Sequence, residues 1–174
     1  NKEPDDVYAL VGLGDLNRMQ KQFVEAVDFY WRALAVEEDN RFALAGLGDA
    51  YRGLQELDKA LEVWLHYLSL NPDDYKVITR VADGFRKRGD FDEAQKYYFK
   101  ALDRHPGDLY ALMGLGNIHL KKGENDQALS FFERAVHASG NCVPALTSVA
   151  NIYRRRKEYE KALKKKLQKK LGDY

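Results

Sequence analysis

The sequence predicts an all-α protein, a one-dimensional array of short antiparallel helix pairs. Three observations carry this. Alanine returns at steps of 34 residues, as Ala26, Ala60, Ala94, Ala128 and Ala162. Twelve residues before each alanine stands a small residue, Gly14, Gly48, Ala82, Gly116 and Ala150. Four residues after it stands a large aromatic, Tyr30, Trp64, Tyr98 and Phe132, with Lys166 in the last place. Whole strings echo as well: Tyr8-Ala-Leu-Val-Gly-Leu-Gly-Asp15, Phe42-Ala-Leu-Ala-Gly-Leu-Gly-Asp49 and Tyr110-Ala-Leu-Met-Gly-Leu-Gly-Asn117. A fixed period in small, large and polar places at once marks a repeat architecture.

Each period reads as two helices. In the first, Leu10, Leu13, Gly14 and Asn17 recur at spacings of three and four; in the second, Phe23, Ala26, Val27, Tyr30 and Leu34 do the same. The break within a unit carries Gly89 or Gly123, or a polar residue such as Lys21, Gln55 or Lys157. The break between units carries Asn71-Pro72 or His105-Pro106, where proline stops the preceding helix. One helix pair cannot bury its own apolar stripe, whereas stacked pairs can. The small residues let two helix backbones approach, and the aromatics fill the space between units. The units are 7–40, 41–74, 75–108, 109–142 and 143–174, one array over 1–174.

Composition narrows the function classes. The chain has 174 residues, 45% hydrophobic and 32% charged, with a net charge of +1. That is a folding sequence with no global field of the nucleic-acid-binding kind. Its longest uncharged stretch contains Gly140, Asn141 and Pro144 and does not read as a membrane span. The one cysteine, Cys142, excludes an internal disulfide and a zinc site of the usual cysteine type. A lone thiol leans toward the reducing cytoplasm, though an exported chain fits as well. The chain starts at Asn1 without methionine, as part of a larger protein would.

The 34-residue period, the Leu-Gly pairs (Leu13-Gly14, Leu47-Gly48, Leu115-Gly116), the alanine within each unit, the later aromatic and Ala33-Leu34 and Ala101-Leu102 together resemble the tetratricopeptide repeat. Pro72 and Pro106 sit where that family places its proline. The resemblance runs from Val7 to the C-terminus. Units one and four depart from it in lacking the proline, unit four has His119 where an aromatic is usual, and unit five ends in lysines. The resemblance implies a right-handed superhelical α-solenoid whose first helices line a concave groove.

In that family the groove-facing places are the second, fifth, sixth, ninth, twelfth and thirteenth of each unit. At about 100° per residue, places two, six, nine and thirteen share a narrow arc. Places two, six, nine and twelve supply Tyr8, Gly12, Asp15 and Arg18 from unit one, and Phe42, Gly46, Asp49 and Arg52 from unit two. Unit three supplies Lys76, Arg80, Asp83 and Arg86, unit four Tyr110 and Asn117, and unit five Asn151 and Arg154. An Asp/Asn ladder thus runs beside an Arg ladder, with aromatics on one rim. These residues are the candidate contacts for a peptide, the carboxylates taking its amides or basic groups and the arginines its acids. The competing reading makes Asp15–Arg18, Asp49–Arg52 and Asp83–Arg86 solvated pairs one helical turn apart that bind nothing. Glycine inside a helix is unfavourable, so Gly12, Gly46 and Gly114 call for close approach of either a ligand backbone or the neighbouring unit.

The family's carboxylate clamp for chaperone C-termini is not met. Lys76 and Arg80 fit its third unit, but Val11, Asp15 and Gly46 do not fit the others. The asparagine ladder of the glycosyltransferase arrays is absent too. Residues 154–170 hold ten Lys/Arg against Glu158 and Glu160, a local +8, which leaves the rest at −7. With Leu163, Leu167 and Leu171 as a narrow stripe, the last helix is an amphipathic, basic cap. Contact with an acidic partner, nucleic acid or an anionic membrane surface is the alternative for this end.

No active site is legible. The Gly-x-Gly strings follow no strand and recur with the period, so they are not phosphate loops. His66, His105, His119 and His137 occupy unrelated places, and Cys142 has no histidine near it. The expectation is a non-enzymatic scaffold, without metal, cofactor or small-molecule substrate, that binds a protein or peptide partner in its groove. Self-assembly is the alternative, as is service as the regulatory part of a larger enzyme.

Overall fold

The structure, a computed structural model, describes residues 6–140 and 142–172, with side chains described up to residue 160. It is all helical over these residues: α1 (Val7–Met19), α2 (Phe23–Val36), α3 (Arg41–Gly53), α4 (Leu57–Leu70), α5 (Tyr75–Arg88), α6 (Phe91–Arg104), α7 (Leu109–Lys121), α8 (Asn125–Ser139) and α9 (Val143–Gly172). Two compact units divide at His105 and Pro106. The first holds the hairpins α1–α2, α3–α4 and α5–α6, with α2 packed on α3, α4 on α5 and α1 on α3. The second holds the hairpin α7–α8, with α9 packed on α8.

The chain marks each start and stop chemically. Asp6, Asn40, Asp74 and Asp108 cap α1, α3, α5 and α7, their side chains accepting from the N–H groups of Tyr8, Phe42, Lys76 and Tyr110 at 3.0–3.1 Å. Cys142 occupies the same place before α9, where its carbonyl accepts from Leu146. Each hairpin turn closes the same way. The N–H groups of Gln22, Glu56, Asp90 and Glu124 reach back to the carbonyls of Asn17, Tyr51, Phe85 and His119, all at 2.9 Å. That six-to-one bond needs a left-handed residue just before its donor. Gly89 and Gly123 meet the need freely at φ 99° and 79°, whereas Lys21 and Gln55 are forced to φ 62° and 64°. A side chain in that region costs about 1–2 kcal/mol. Gln55→Gly should therefore stabilise the protein by about 0.5–1 kcal/mol after the extra unfolded-state entropy of glycine is charged. A rise of ~1–3 °C in thermal midpoint checks this.

The core follows the period. Ala26, Ala60, Ala94 and Ala128 are fully buried, as are the rings of Tyr30, Trp64, Tyr98 and Phe132. A Cβ on Gly14 would stand 2.6 Å from the Tyr30 ring, and one on Gly116 2.5 Å from Phe132; Gly48 abuts Trp64 in the same way. The rings of Tyr30, Trp64 and Phe132 thus lie against the glycine of their own hairpin. Tyr30 and Trp64 also reach the next hairpin: a Cβ on Gly46 would overlap the Tyr30 ring, and Gly84 faces Leu61 and Trp64.

The fifth unit departs from the expected pair of helices. Instead of breaking at Lys157, α9 runs unbroken from Val143 to Gly172. The sequence shows why. Where the second helix of unit one buries Ala26, Tyr30, Ala33 and Leu34, unit five has Ala162, Lys166, Lys169 and Lys170. Folding back would bury lysines, and the lysine- and leucine-rich segment is a good helix former as it stands. The expected landmark Ala162, the stripe of Leu163, Leu167 and Leu171 and the lysines from Lys161 onward lie outside the described side chains. Among the described residues, no helix is long and apolar enough to cross a membrane.

Candidate functional site

The first helices of the hairpins carry the candidate residues, and the first unit brings three of these helices to bear on each other. The aspartates prove to be structural ties. Asp15 Oδ1 accepts from the Tyr30 hydroxyl at 2.7 Å and from Arg18 Nη2 at 3.0 Å, while Arg18 Nε donates to the same hydroxyl at 3.2 Å. Asp83 repeats the arrangement with Arg86 and Lys87, and Arg86 Nε donates to the Tyr98 hydroxyl at 3.2 Å. Carboxylate, arginine and phenol thus tie α1 to α2 and α5 to α6.

The second hairpin cannot do this, because Trp64 stands where Tyr30 and Tyr98 stand. Asp49 finds other partners. It is only 7% exposed and pairs with Arg52 on its own helix at 3.3 Å, Arg80 of α5 at 3.3 Å and Arg18 of α1 at 3.9 Å. One carboxylate therefore gathers cations from three helices. Burial raises the Tyr30 phenol above its ordinary range, with the bond to Asp15 adding to it. Burial also raises Tyr98, helped by the charge of Asp83, to about 12. For Asp83 burial pushes up, but the bonds from Arg86 and Lys87 outweigh it and hold the carboxyl below its usual value.

The glycines separate. Gly46 is buried under Tyr30, so the neighbouring hairpin, not a ligand, explains it. Gly12 has open space above it, and Gly114 is buried in α7. The rim aromatics are open: Tyr8 is 77% exposed, Phe42 53% and Tyr110 78%. In the second unit Tyr110 and Asn117 lie exposed on α7, and Asn151 and Arg154 lie exposed on α9, 3.5 Å apart at the donor and acceptor.

Sequence reasoning missed Arg41. It sits one residue before Phe42, with its guanidinium over that ring at 4.7 Å. Together with Phe42, Ala45, Tyr67, Asp74, Lys76, Val77 and Arg80 it lines a recess of about 250 Å³ between α3, α4 and α5. The available signal was its place directly after the recurring cap residue.

The other candidate chemistry stays scattered. His66 pairs with Asp39, His105 stacks on Tyr75 at 4.5 Å and His119 pairs with Glu124. Among the described residues no three potential ligands gather for a metal, and Cys142 is buried.

Models of the tetratricopeptide repeat match residues 43–74 and 81–141, together more than half of the chain. The chain is a tetratricopeptide-repeat protein. Solved structures agree on the fold. The crystal structure of MamA protein is 19% identical, with a TM-score of 0.78 over 91% of this chain and 86% of that one. A MamA RS-1 ArsTM double mutant is 16% identical, with a TM-score of 0.79 over 92% and 90%. A tetratricopeptide repeat protein from Parabacteroides merdae ATCC 43184 is 20% identical, with a TM-score of 0.78 over 93% of this chain and 63% of that one. No curated protein matches the chain. The tetratricopeptide-repeat fold is in general a non-catalytic scaffold for protein interaction.

Proposed function

We propose that this tetratricopeptide-repeat chain is an interaction scaffold that holds an extended segment of a partner protein. In the first unit the segment lies along α1, α3 and α5. The observation that carries this is the division of labour on that face. The carboxylates Asp15, Asp49 and Asp83 are engaged in internal bonds, while Tyr8, Phe42 and Lys76 are exposed to solvent, Phe42 with the Arg41 guanidinium over its ring. Exposed aromatics beside cations are the compositional mark of a protein-binding surface. Gly12, Arg18, Gly46, Arg52, Arg80 and Arg86 form the floor beneath them. In the second unit Tyr110, Asn117, Asn151 and Arg154 offer a surface of the same kind.

A photocrosslinking amino acid at position 42 tests this. It should couple to one discrete partner, and Phe42→Ala with Tyr8→Ala should weaken binding of that partner at least tenfold without shifting the melting curve. A partner that couples equally well through an outward position on a second helix, such as Glu62, sinks the reading.

Self-assembly has an observation of its own. Leu13 and Leu16 of α1 are 42% and 50% exposed, whereas Leu47 and Ala50, their counterparts in α3, are fully covered by the preceding hairpin. Light scattering across a concentration series distinguishes assembly through that face from a monomeric scaffold.

A further inference from the structure

The recess between α3, α4 and α5 has a surplus of positive charge that the protein does not use. Three cations line it, Arg41, Lys76 and Arg80, against one carboxylate, Asp74. Asp74 is fully occupied: Oδ1 accepts from the backbone N–H groups of Lys76 and Val77 at 3.0 and 3.3 Å, and Oδ2 accepts from the Tyr67 hydroxyl at 2.7 Å. Arg80 is partly spent on Asp49. Among the described residues neither Arg41 nor Lys76 has a carboxylate within ion-pair reach. Arg41 lies over the Phe42 ring, and Lys76 is exposed. The first turn of α5 adds the positive end of a helix to the same recess.

We infer that this recess is a carboxylate subsite, taking the side chain of a glutamate or aspartate from an extended acidic partner segment between Arg41 and Lys76, with Phe42 as its apolar wall. The inference rests on the groove reading and specifies the partner. Size supports a side chain: about 250 Å³ is below the ~300–1,000 Å³ of sites that enclose whole small molecules. Electrostatics favour separated acids over a continuous polyanion. A phosphate backbone following the same face would run past Asp15, Asp49 and Asp83, whereas one acidic side chain meets only the cations. The chemistry is particular to this position. The places of Arg41 and Phe42 are held by Val7 and Tyr8 in α1 and by Leu109 and Tyr110 in α7, and the place of Lys76 is held by Phe42 in α3 and Tyr110 in α7, so neither neighbour in the repeat has this pair of cations.

Isotope-edited NMR titration tests it with three probes: a terminally capped decapeptide alternating glutamate and leucine, its glutamine counterpart, and inorganic phosphate. The glutamate peptide should shift the amides of Phe42, Lys76 and Val77 and bind at least tenfold more tightly than the glutamine peptide. Arg41→Gln with Lys76→Gln should remove that tenfold, whereas Lys21→Gln with Lys96→Gln, an equal loss of charge elsewhere, should not. Both substituted residues are exposed, and Arg80 is left in place because it holds Asp49. Equal binding of the two peptides, indifference to Arg41→Gln with Lys76→Gln, or equal shifts with phosphate each overturn the subsite while leaving the groove standing. Absence of any peptide binding overturns the subsite. The groove falls with it only when position 42 also crosslinks to no partner.

Discussion

Trp64→Ala should cost about 3–5 kcal/mol of stability, the usual toll of deleting a fully buried ring, and it should be the most damaging single truncation in the first unit. The indole is wedged between Gly48 of its own hairpin and Gly84 of the next, and both lack a Cβ to follow it into the space it would leave. Arg52 lies over its face at 5.9 Å. Trp64→Phe separates packing from polarity. The indole N–H is buried without an acceptor, so phenylalanine removes an unsatisfied donor along with some volume, and the loss should stay below about 2 kcal/mol. Tyr30→Phe is the counterpart with a bond to lose, since that hydroxyl joins Asp15 to Arg18; about 1 kcal/mol is expected, because Asp15 is half exposed and water can replace the phenol. Urea unfolding followed by far-ultraviolet circular dichroism orders the three. A cost below about 1 kcal/mol for Trp64→Ala would show that adjacent hairpins do not depend on the ring between them.

The architecture is legible in the sequence because every hairpin must solve one packing problem with one set of sizes. Ala26, Ala60, Ala94 and Ala128, the small residue twelve places earlier and the ring four places later are all buried, and three of the rings abut the glycine of their own hairpin, so a 34-residue period in the letters is a period in packing. What resists reading are the places where one hairpin compensates for another. Asp15, Asp49 and Asp83 look alike in the sequence. Their environments diverge because the residue fifteen places later is tyrosine, tryptophan and tyrosine, and only the middle aspartate loses its phenol and draws arginines from two other helices. Gly46 presents the same kind of difficulty: the ring that requires it belongs to the preceding hairpin. The unbroken α9 depends on what is missing, an aromatic at Lys166, and a landmark alanine alone does not reveal that. Lys21 and Gln55 hide their left-handed turns because the six-to-one bond imposes the conformation whatever side chain stands there.

Asp49→Ala is the second large effect, expected at about 2–3 kcal/mol. Removing one member of a fully buried ion pair costs about 3–5 kcal/mol, and the value is discounted here because the three arginines keep contact with water. Their side chains are 32%, 41% and 34% exposed for Arg18, Arg52 and Arg80, against 7% for Asp49. The same substitution at Asp15, 48% exposed, should cost about 1 kcal/mol or less, since Arg18 keeps Tyr30 and Asp49 as partners. A double-mutant cycle with Arg80→Ala isolates the bond between α3 and α5, and a coupling of about 1 kcal/mol is expected. The comparison decides how the acidic ladder is to be understood. If Asp49→Ala melts where the parent chain melts, the carboxylate is idle in the free protein and available to a ligand, and the ladder belongs to recognition. If it melts early while Asp15→Ala does not, Asp49 is the fastening of three helices. Loss of binding in that variant would then report a loosened scaffold, and Phe42, whose ring is 53% exposed, becomes the residue through which recognition is measured.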